Sequence, residues 1–300
     1  MSGVLAVRDL RKSFRRVSVL NGLNLEVAEG SVFGLIGPNG AGKTTTIKIL
    51  MNLIQSTSGE AQVLGVNSRK LGPDDFARIG YVSENQILPG WMTVEYFLQY
   101  LKPFYPMWDD ARVVELAEQF KLPLDRKLQN LSRGMLMKAS LISSLAYHPK
   151  LLVLDEPFGG LDPMMREDFI QGLIETAGET TILISSHDLA DIESFASHIG
   201  YLDDGRLQFA EEMTSLTERF REVEVIVEPP ASLAGRQWPA TWLRPEATQS
   251  LVRFVDTHFE PERTRAEIRE IFGGVQHISF NPMPLRAIFV TLARESAKSA

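Results

Sequence analysis

An α/β fold organised around a mostly parallel sheet is what this sequence predicts, and three observations predict it. A glycine-rich loop, Gly37-Pro38-Asn39-Gly40-Ala41-Gly42-Lys43-Thr44, lies between a strand-like apolar run at 31–36 and a helix opening at Thr45 and Thr46. Two further short apolar runs, 151–154 and 181–185, have the composition of strands covered on both faces. Strand and helix patterns alternate around the loop, the arrangement that builds a parallel sheet. To this core the chain adds an N-terminal antiparallel β part, a helical subdomain at about 90–148 and a small C-terminal α+β domain.

Composition bounds the class. The 300 residues are 44% hydrophobic and 23% charged, ordinary values for a globular chain with room for one large core and a smaller unit. No stretch approaches the ~18 consecutive apolar residues of a membrane span. The first ten residues carry Arg8 and Asp9 without a long apolar block, so a secretory signal is not expected. Cysteine is absent, which removes disulfides, thiolate metal sites and cysteine nucleophiles. A net charge of −7 argues against nonspecific nucleic-acid binding, which relies on a basic surface to neutralise phosphates.

In chain order, apolar segments at 4–7, 19–20 and 23–27 suggest a small antiparallel sheet, with Asn21-Gly22 as a turn signal. After the loop, Ser58-Gly59 starts another strand-like run at 61–65. Thr93 is placed to cap a helix whose Val94, Phe97, Leu98 and Leu101 recur at helical spacing. A second helix is expected over 111–120, stopped near Pro123. Beyond about Phe220 the pattern changes: residues 222–227 alternate cleanly until Pro229-Pro230. A strand near 251–255, a helix near 263–272 and a last helix near 284–294 follow. The expected domains are therefore 1–220 and 221–300.

The loop matches G-x-x-x-x-G-K-[ST], so the core is expected to be that of a P-loop NTPase. Its glycines let successive backbone N–H groups point inward as an anion nest, and the following helix turns its positive end toward the phosphates. Lys43 is placed to reach the β- and γ-phosphates, and the Thr44 hydroxyl to ligate Mg²⁺. The run at 151–154 ends in Asp155-Glu156-Pro157. Adjacent strand residues point in opposite directions, so Asp155 can hold the Mg²⁺ shell while Glu156 orients or deprotonates the attacking water. Leu131-Ser132-Arg133-Gly134-Met135 precedes a helix with Leu136, Ala139, Ile142 and Leu145 on its apolar faces. Ser132 is its cap, either as a plain helix start or as a second anion-facing terminus.

The order of these pieces resembles the nucleotide-binding subunits of ABC transporters (the ATP-binding cassette family) over roughly residues 4–215. Phosphate loop, Leu-Ser-x-Gly signature, apolar strand ending Asp-Glu, Gly160-Leu161-Asp162 and Ser185-Ser186-His187 stand in family order. The C-terminal unit and Phe104-Tyr105-Pro106-x-Trp108-Asp109 resemble bacterial subunits that drive ABC-2-type exporters. The resemblance implies an ATPase using ATP and Mg²⁺, working as a homodimer or heterodimer of ATPase subunits with an integral-membrane permease on the cytoplasmic face of the membrane. Two chains would clamp two ATP, the signature residues Ser132, Arg133, Gly134 and Met135 of one chain covering ATP held by the other's phosphate loop. By the same likeness Phe14 stacks on adenine, unless it packs as a core phenylalanine. His187 contacts the γ-phosphate, unless it is a structural histidine, and Asp162 communicates between subunits. Lys43, Glu156 and His187 are the expected catalytic set, and Thr44, Glu84 and Asp155 the metal set.

Three departures from the family pattern stand out. Glu84 occupies a position usually held by glutamine, with Gln86 two residues on; a carboxylate also ligates Mg²⁺ but changes the charge. Arg133 and Met135 replace glycine and glutamine in the signature, and Arg133 either contacts phosphate or is simply solvated. The loop before Asp162 reads Phe158-Gly159-Gly160, which is permissive but unremarkable. Trp91, Met92, Phe97, Phe104, Tyr105 and Trp108 lie where family permease contacts fall, or form the subdomain's own core. The rival function is a soluble ABC-type ATPase acting on nucleic acid or ribosomes, but the paired cassettes, coiled-coil insertion or zinc-binding cysteines of such relatives are not visible. A general P-loop kinase or GTPase leaves the signature and His187 unexplained.

Overall fold

A computed structural model describes residues 3–176, 180–229 and 237–299. The chain forms two compact units, Met1–Ala210 and Glu211–Ala300.

The first unit begins with an antiparallel sheet. Strands β1 (Leu5–Phe14) and β2 (Val17–Val27) pair as a hairpin that turns at Arg15-Arg16, with Phe14 opposite Val17. Asn21-Gly22 is therefore not the turn that the sequence suggests. Leu10 pairs with Leu23 and Arg11 with Asn21, so Gly22 is an extra residue in a β-bulge, at φ 93°. The positive φ that makes Asn-Gly a turn signal serves a bulge equally well. Strands β3 (Val32–Ile36), β4 (Ser58–Val63) and β5 (Val66–Asn67) follow, and the sheet order is β2-β1-β4-β5. Leu5, Val7, Leu10, Leu23, Leu25 and Val63 form its inner face. They pack into one cluster with Ile47 and Leu50 of helix α1 (Lys43–Leu50).

The second sheet holds β3 together with β6 (Ile79–Ser83), β7 (Leu151–Asp155), β8 (Thr181–Ser186), β9 (His198–Asp203) and β10 (Arg206–Glu212). Its order is β10-β9-β3-β8-β7-β6, and the pairs β9/β3, β3/β8, β8/β7 and β7/β6 are parallel. Every residue of β3, β7 and β8 is buried, as expected of apolar runs with helices on both sides. The register pairs Ser83 with Asp155, Asp155 with Ser185, and Ser186 with Ile36. Four carboxyl ends thus lie in one row, the edge where open α/β sheets receive their ligands.

After the short helix α2 (Pro73–Phe76), the helical part comprises α3 (Val94–Leu101), α4 (Asp110–Gln119) and α5 (Arg133–Leu145). Thr93 caps α3 by accepting from the Tyr96 N–H, 3.2 Å. Helix α4 ends at Gln119, within a residue of the expected bound, and Lys121, at φ +51°, already breaks it ahead of Pro123. Helix α5 is buried nearly all round, and Lys138 within it meets Asp168 of α6 (Pro163–Thr176) at 2.8 Å. The aromatics of this region divide. Met92 and Phe97 are core, whereas Trp91 and Phe104 are 64% and 62% exposed. Tyr105 stacks on Tyr147 with centroids 3.9 Å apart.

The second unit holds α7 (Met213–Arg219), β11 (Arg221–Val227), β12 (Trp242–Ala247), β13 (Leu251–Asp256), α8 (Pro261–Ile271), β14 (Val275–Pro282) and α9 (Leu285–Ser299). The sheet is antiparallel, in the order β12-β13-β11-β14. The alternation of 222–227 delivers Val223, Val225 and Val227 to one face, against Val252, Phe254, Ile268 and Phe272. Trp242 stacks on Phe254 at 3.9 Å. Pro230, expected to help end the first of these strands, lies outside the described residues.

Candidate nucleotide site

The loop that joins β3 to α1 turns its backbone at Gly42, φ 110°, and α1 starts at Lys43. The Thr46 N–H donates to the Gly42 carbonyl at 2.8 Å, closing the first helical turn. Lys43 is only 5% exposed, and its ammonium is fully engaged. It donates to the carbonyls of Gly37 (2.7 Å) and Pro38 (3.3 Å) and pairs with Glu156 Oε1 at 3.0 Å. The Gly37 N–H donates to the Ser186 carbonyl of β8 at 3.3 Å, which ties the loop to the sheet, and within the loop the Ala41 N–H donates to the Pro38 carbonyl at 3.1 Å.

Asp155 and Glu156 stand at the end of β7 and face different partners. Asp155 is buried, and its Oδ1 accepts from Ser185 Oγ (2.8 Å) and Thr44 Oγ1 (3.0 Å). Burial raises its carboxyl pKa, against the lowering effect of those two hydroxyls. Glu156 takes φ +51°, a backbone conformation that few non-glycine residues hold, and its N–H is fixed by Ser185 Oγ at 2.9 Å. Its second oxygen meets His187 Nδ1 at 2.8 Å. Burial works to raise the Glu156 carboxyl, but hydrogen bonds from His187 and Lys43 outweigh it and hold the group below its ordinary value. One carboxylate therefore bridges the phosphate-loop lysine and the strand-end histidine.

Glu84 follows β6, and its N–H donates to the Asp155 carbonyl at 3.0 Å. Thr44, Asp155 and Glu84 offer hard oxygen donors, with Thr44 Oγ1 and Asp155 Oδ1 only 3.0 Å apart, and this donor chemistry fits Mg²⁺. A cleft of about 480 Å³ runs over Asn39, Gly40, Gly42, Lys43, Thr44 and Thr45, and is closed by Glu84, Glu156, Gly159 and His187. A larger cleft, about 720 Å³, opens beside β1 and β2, but it has no anion-binding loop.

The other expected residues lie outside this cleft. Phe14, 45% exposed, ends β1 with the Lys12 ammonium 4.6 Å from its ring centroid. It is not core, and one face of its ring is covered by that ammonium. Ser132 caps α5, accepting from the Met135 N–H at 3.3 Å. Gly134 is buried against α6, and a Cβ there would run into Met165 Sδ. Arg133 is not freely solvated: its guanidinium pairs with Glu84 of the same chain. Asp162 caps α6, accepting from the Met165 N–H at 2.9 Å.

Sequence reading gave no role to Ser185, the hydroxyl that ties Asp155 to Glu156. The parallel register of two apolar runs, which sets Ser185 opposite Asp155, is the signal that finds it. It also passed over Asp191, buried, accepting from Ser186 Oγ (2.7 Å) and ion-paired with Arg166 (2.5 Å), which braces the segment carrying His187.

Sheet order, phosphate loop and strand-end carboxylates define a P-loop nucleotide-binding ATPase. The ABC transporter family model matches residues 20–159. The chain is 31% identical over 236 residues to the ABC transporter ATP-binding protein YtrB of Bacillus subtilis (strain 168), covering 78% of this chain and 80% of that one. It is 33% identical over 214 residues to the bacitracin transport ATP-binding protein BcrA of Bacillus licheniformis, covering 69% of each. A solved ATP-binding subunit of an ABC transporter superposes with TM-score 0.65 at 27% identity, covering 72% of this chain and 92% of the other. This chain belongs to the ABC transporter ATP-binding protein family, and it binds and hydrolyses ATP as a transporter's ATPase subunit. Among the described residues, no helix is long and apolar enough to cross a membrane.

Proposed function

We propose that two of these ATPase subunits clamp two ATP between them and drive a separate integral-membrane permease, in the direction of export, from the cytoplasmic face of the membrane. The carrying observation is the Glu156 carboxylate held between Lys43 and His187 at the row of strand ends. In this reading the loop 37–44 and Thr45 cradle the phosphates, Lys43 moves from Glu156 onto the β- and γ-phosphates, and Phe14 stacks on adenine. Thr44, Asp155 and Glu84 hold Mg²⁺, which neutralises phosphate charge when bound. Glu156 then accepts a proton from the attacking water and His187 orients the γ-phosphate. Ser132, Gly134 and Met135 face the ATP of the partner chain, and Asp162 lies at the seam between the two.

Each γ-phosphate adds contacts across the seam, so ATP favours the closed dimer and hydrolysis favours opening. The solvent-facing aromatics Trp91 and Phe104 supply apolar area for a permease contact. Turnover per chain should rise with protein concentration and fall when Ser132 is replaced; concentration-independent turnover unaffected at Ser132 refutes the clamp. Membrane fractionation and pulldown test the partner: recovery with ribosomes and with no membrane protein, under ATP or ADP, refutes the transport role.

A further inference from the structure

Three places where this chain leaves the family pattern, far apart in sequence, meet at one point. Glu84 reaches from the end of β6 into the nucleotide cleft, and Arg133 reaches from the first turn of α5 to pair with it. The loop 158–160 makes the room: a Cβ at Gly159 would run into the Glu84 carboxylate, and one at Gly160 would stand 3.1 Å from Arg133 Nη1. The Glu84 side chain is 29% exposed, and its backbone is fixed to Asp155. A carboxylate so placed adds a third negative charge beside Asp155 and Glu156, where a polyanion must bind. Electrostatics demands a counter-ion, and a planar guanidinium suits a carboxylate better than an ammonium does.

We infer that Arg133 is a positioning residue for its own chain's nucleotide site: it neutralises and holds Glu84, and so is committed in cis rather than to phosphate across the dimer. This rests on the nucleotide-site reading above. Glu84, Arg133 and the Gly159-Gly160 slot are one exchanged unit in place of an uncharged glutamine. Arg133 removed alone leaves an uncompensated carboxylate facing the triphosphate. Arg133 and Glu84 removed together leave neutral groups and restore the balance.

The test is a double-mutant cycle with E84Q, R133Q and E84Q/R133Q in the full chain. Binding of a fluorescent ATP analogue is measured in EDTA at low salt, at protein concentrations where the chain is monomeric. R133Q should weaken binding about tenfold, a loss of about 1.4 kcal/mol, and E84Q/R133Q should return it to within about twofold of wild type. G159S, which pushes on the Glu84 carboxylate, should resemble R133Q and be rescued by E84Q. Equal weakening in R133Q and the double variant means that Arg133 acts on phosphate directly, which overturns the inference. So does wild-type binding in all three variants. K43A is the control for the underlying reading: wild-type affinity there would instead refute the site itself.

Discussion

Replacing Glu156 by Gln should tighten ATP binding while it stalls turnover. Glu156 competes with nucleotide for the Lys43 ammonium, which it meets at 3.0 Å with side chains 16% and 5% exposed. At an effective dielectric of about 20, a charge pair at that distance attracts by about 5 kcal/mol before desolvation is subtracted. Glutamine still accepts a hydrogen bond from Lys43, so only the charge contribution is lost. With most of the attraction offset by desolvation, about 1.4 kcal/mol remains, a tenfold gain in ATP affinity. Loss of the base should cut hydrolysis by about 10²–10⁴-fold. Equilibrium binding in EDTA gives the first number, and phosphate release at saturating Mg-ATP gives the second. Unchanged or weaker affinity, or turnover near wild type, refutes the bridging role given to Glu156.

Three other outcomes are expected. Lys43→Ala should lower ATP affinity at least tenfold in a calorimetric titration, because the buried cation at the loop is gone while the backbone nest remains. Gly134→Ala gains up to about 1 kcal/mol of helix propensity but overpacks against Met165 by about 1–3 kcal/mol. Its thermal melting should fall by a few degrees, and a rise would refute the close approach. Glu156 has a carboxyl pKa lowered from 4.5, so its stabilisation is present above that pH and disappears as pH falls through the depressed value. Asp155, raised by burial, works in the opposite sense, so the Glu156→Gln variant isolates the term. Denaturation midpoints should fall less steeply below pH 4.5 in that variant than in wild type.

What could be read from the chain alone follows physical range. Apolar runs such as 151–154 reveal buried strands because burial on both faces leaves no other composition, and Thr93 and Ser132 reveal caps because the donors they satisfy are three residues away. Asn21-Gly22 misled because local φ preference is shared by turns and bulges, and only the register with β1 separates them. Strands β12 and β14 went unread: one contains Pro245, and the other, with His277 and Asn281, lacks clean alternation. Within the candidate site, the loop and the strand-end carboxylates are local signals. The pairing of Arg133 with Glu84 spans 49 positions and depends on where α5 is set against the sheet, which no local pattern records.

Strand β8 is made after β3, β6 and β7, yet it lies between β3 and β7. A ribosome that has released the chain only as far as residue 175 has delivered the phosphate loop and both acidic residues without the strand that joins their halves. Nucleotide capture should therefore switch on abruptly during synthesis, once residues 181–187 emerge, and not grow in proportion to length. Stalled chains of graded length on ATP-agarose would display the step, and retention of those ending before Thr181 would contradict it.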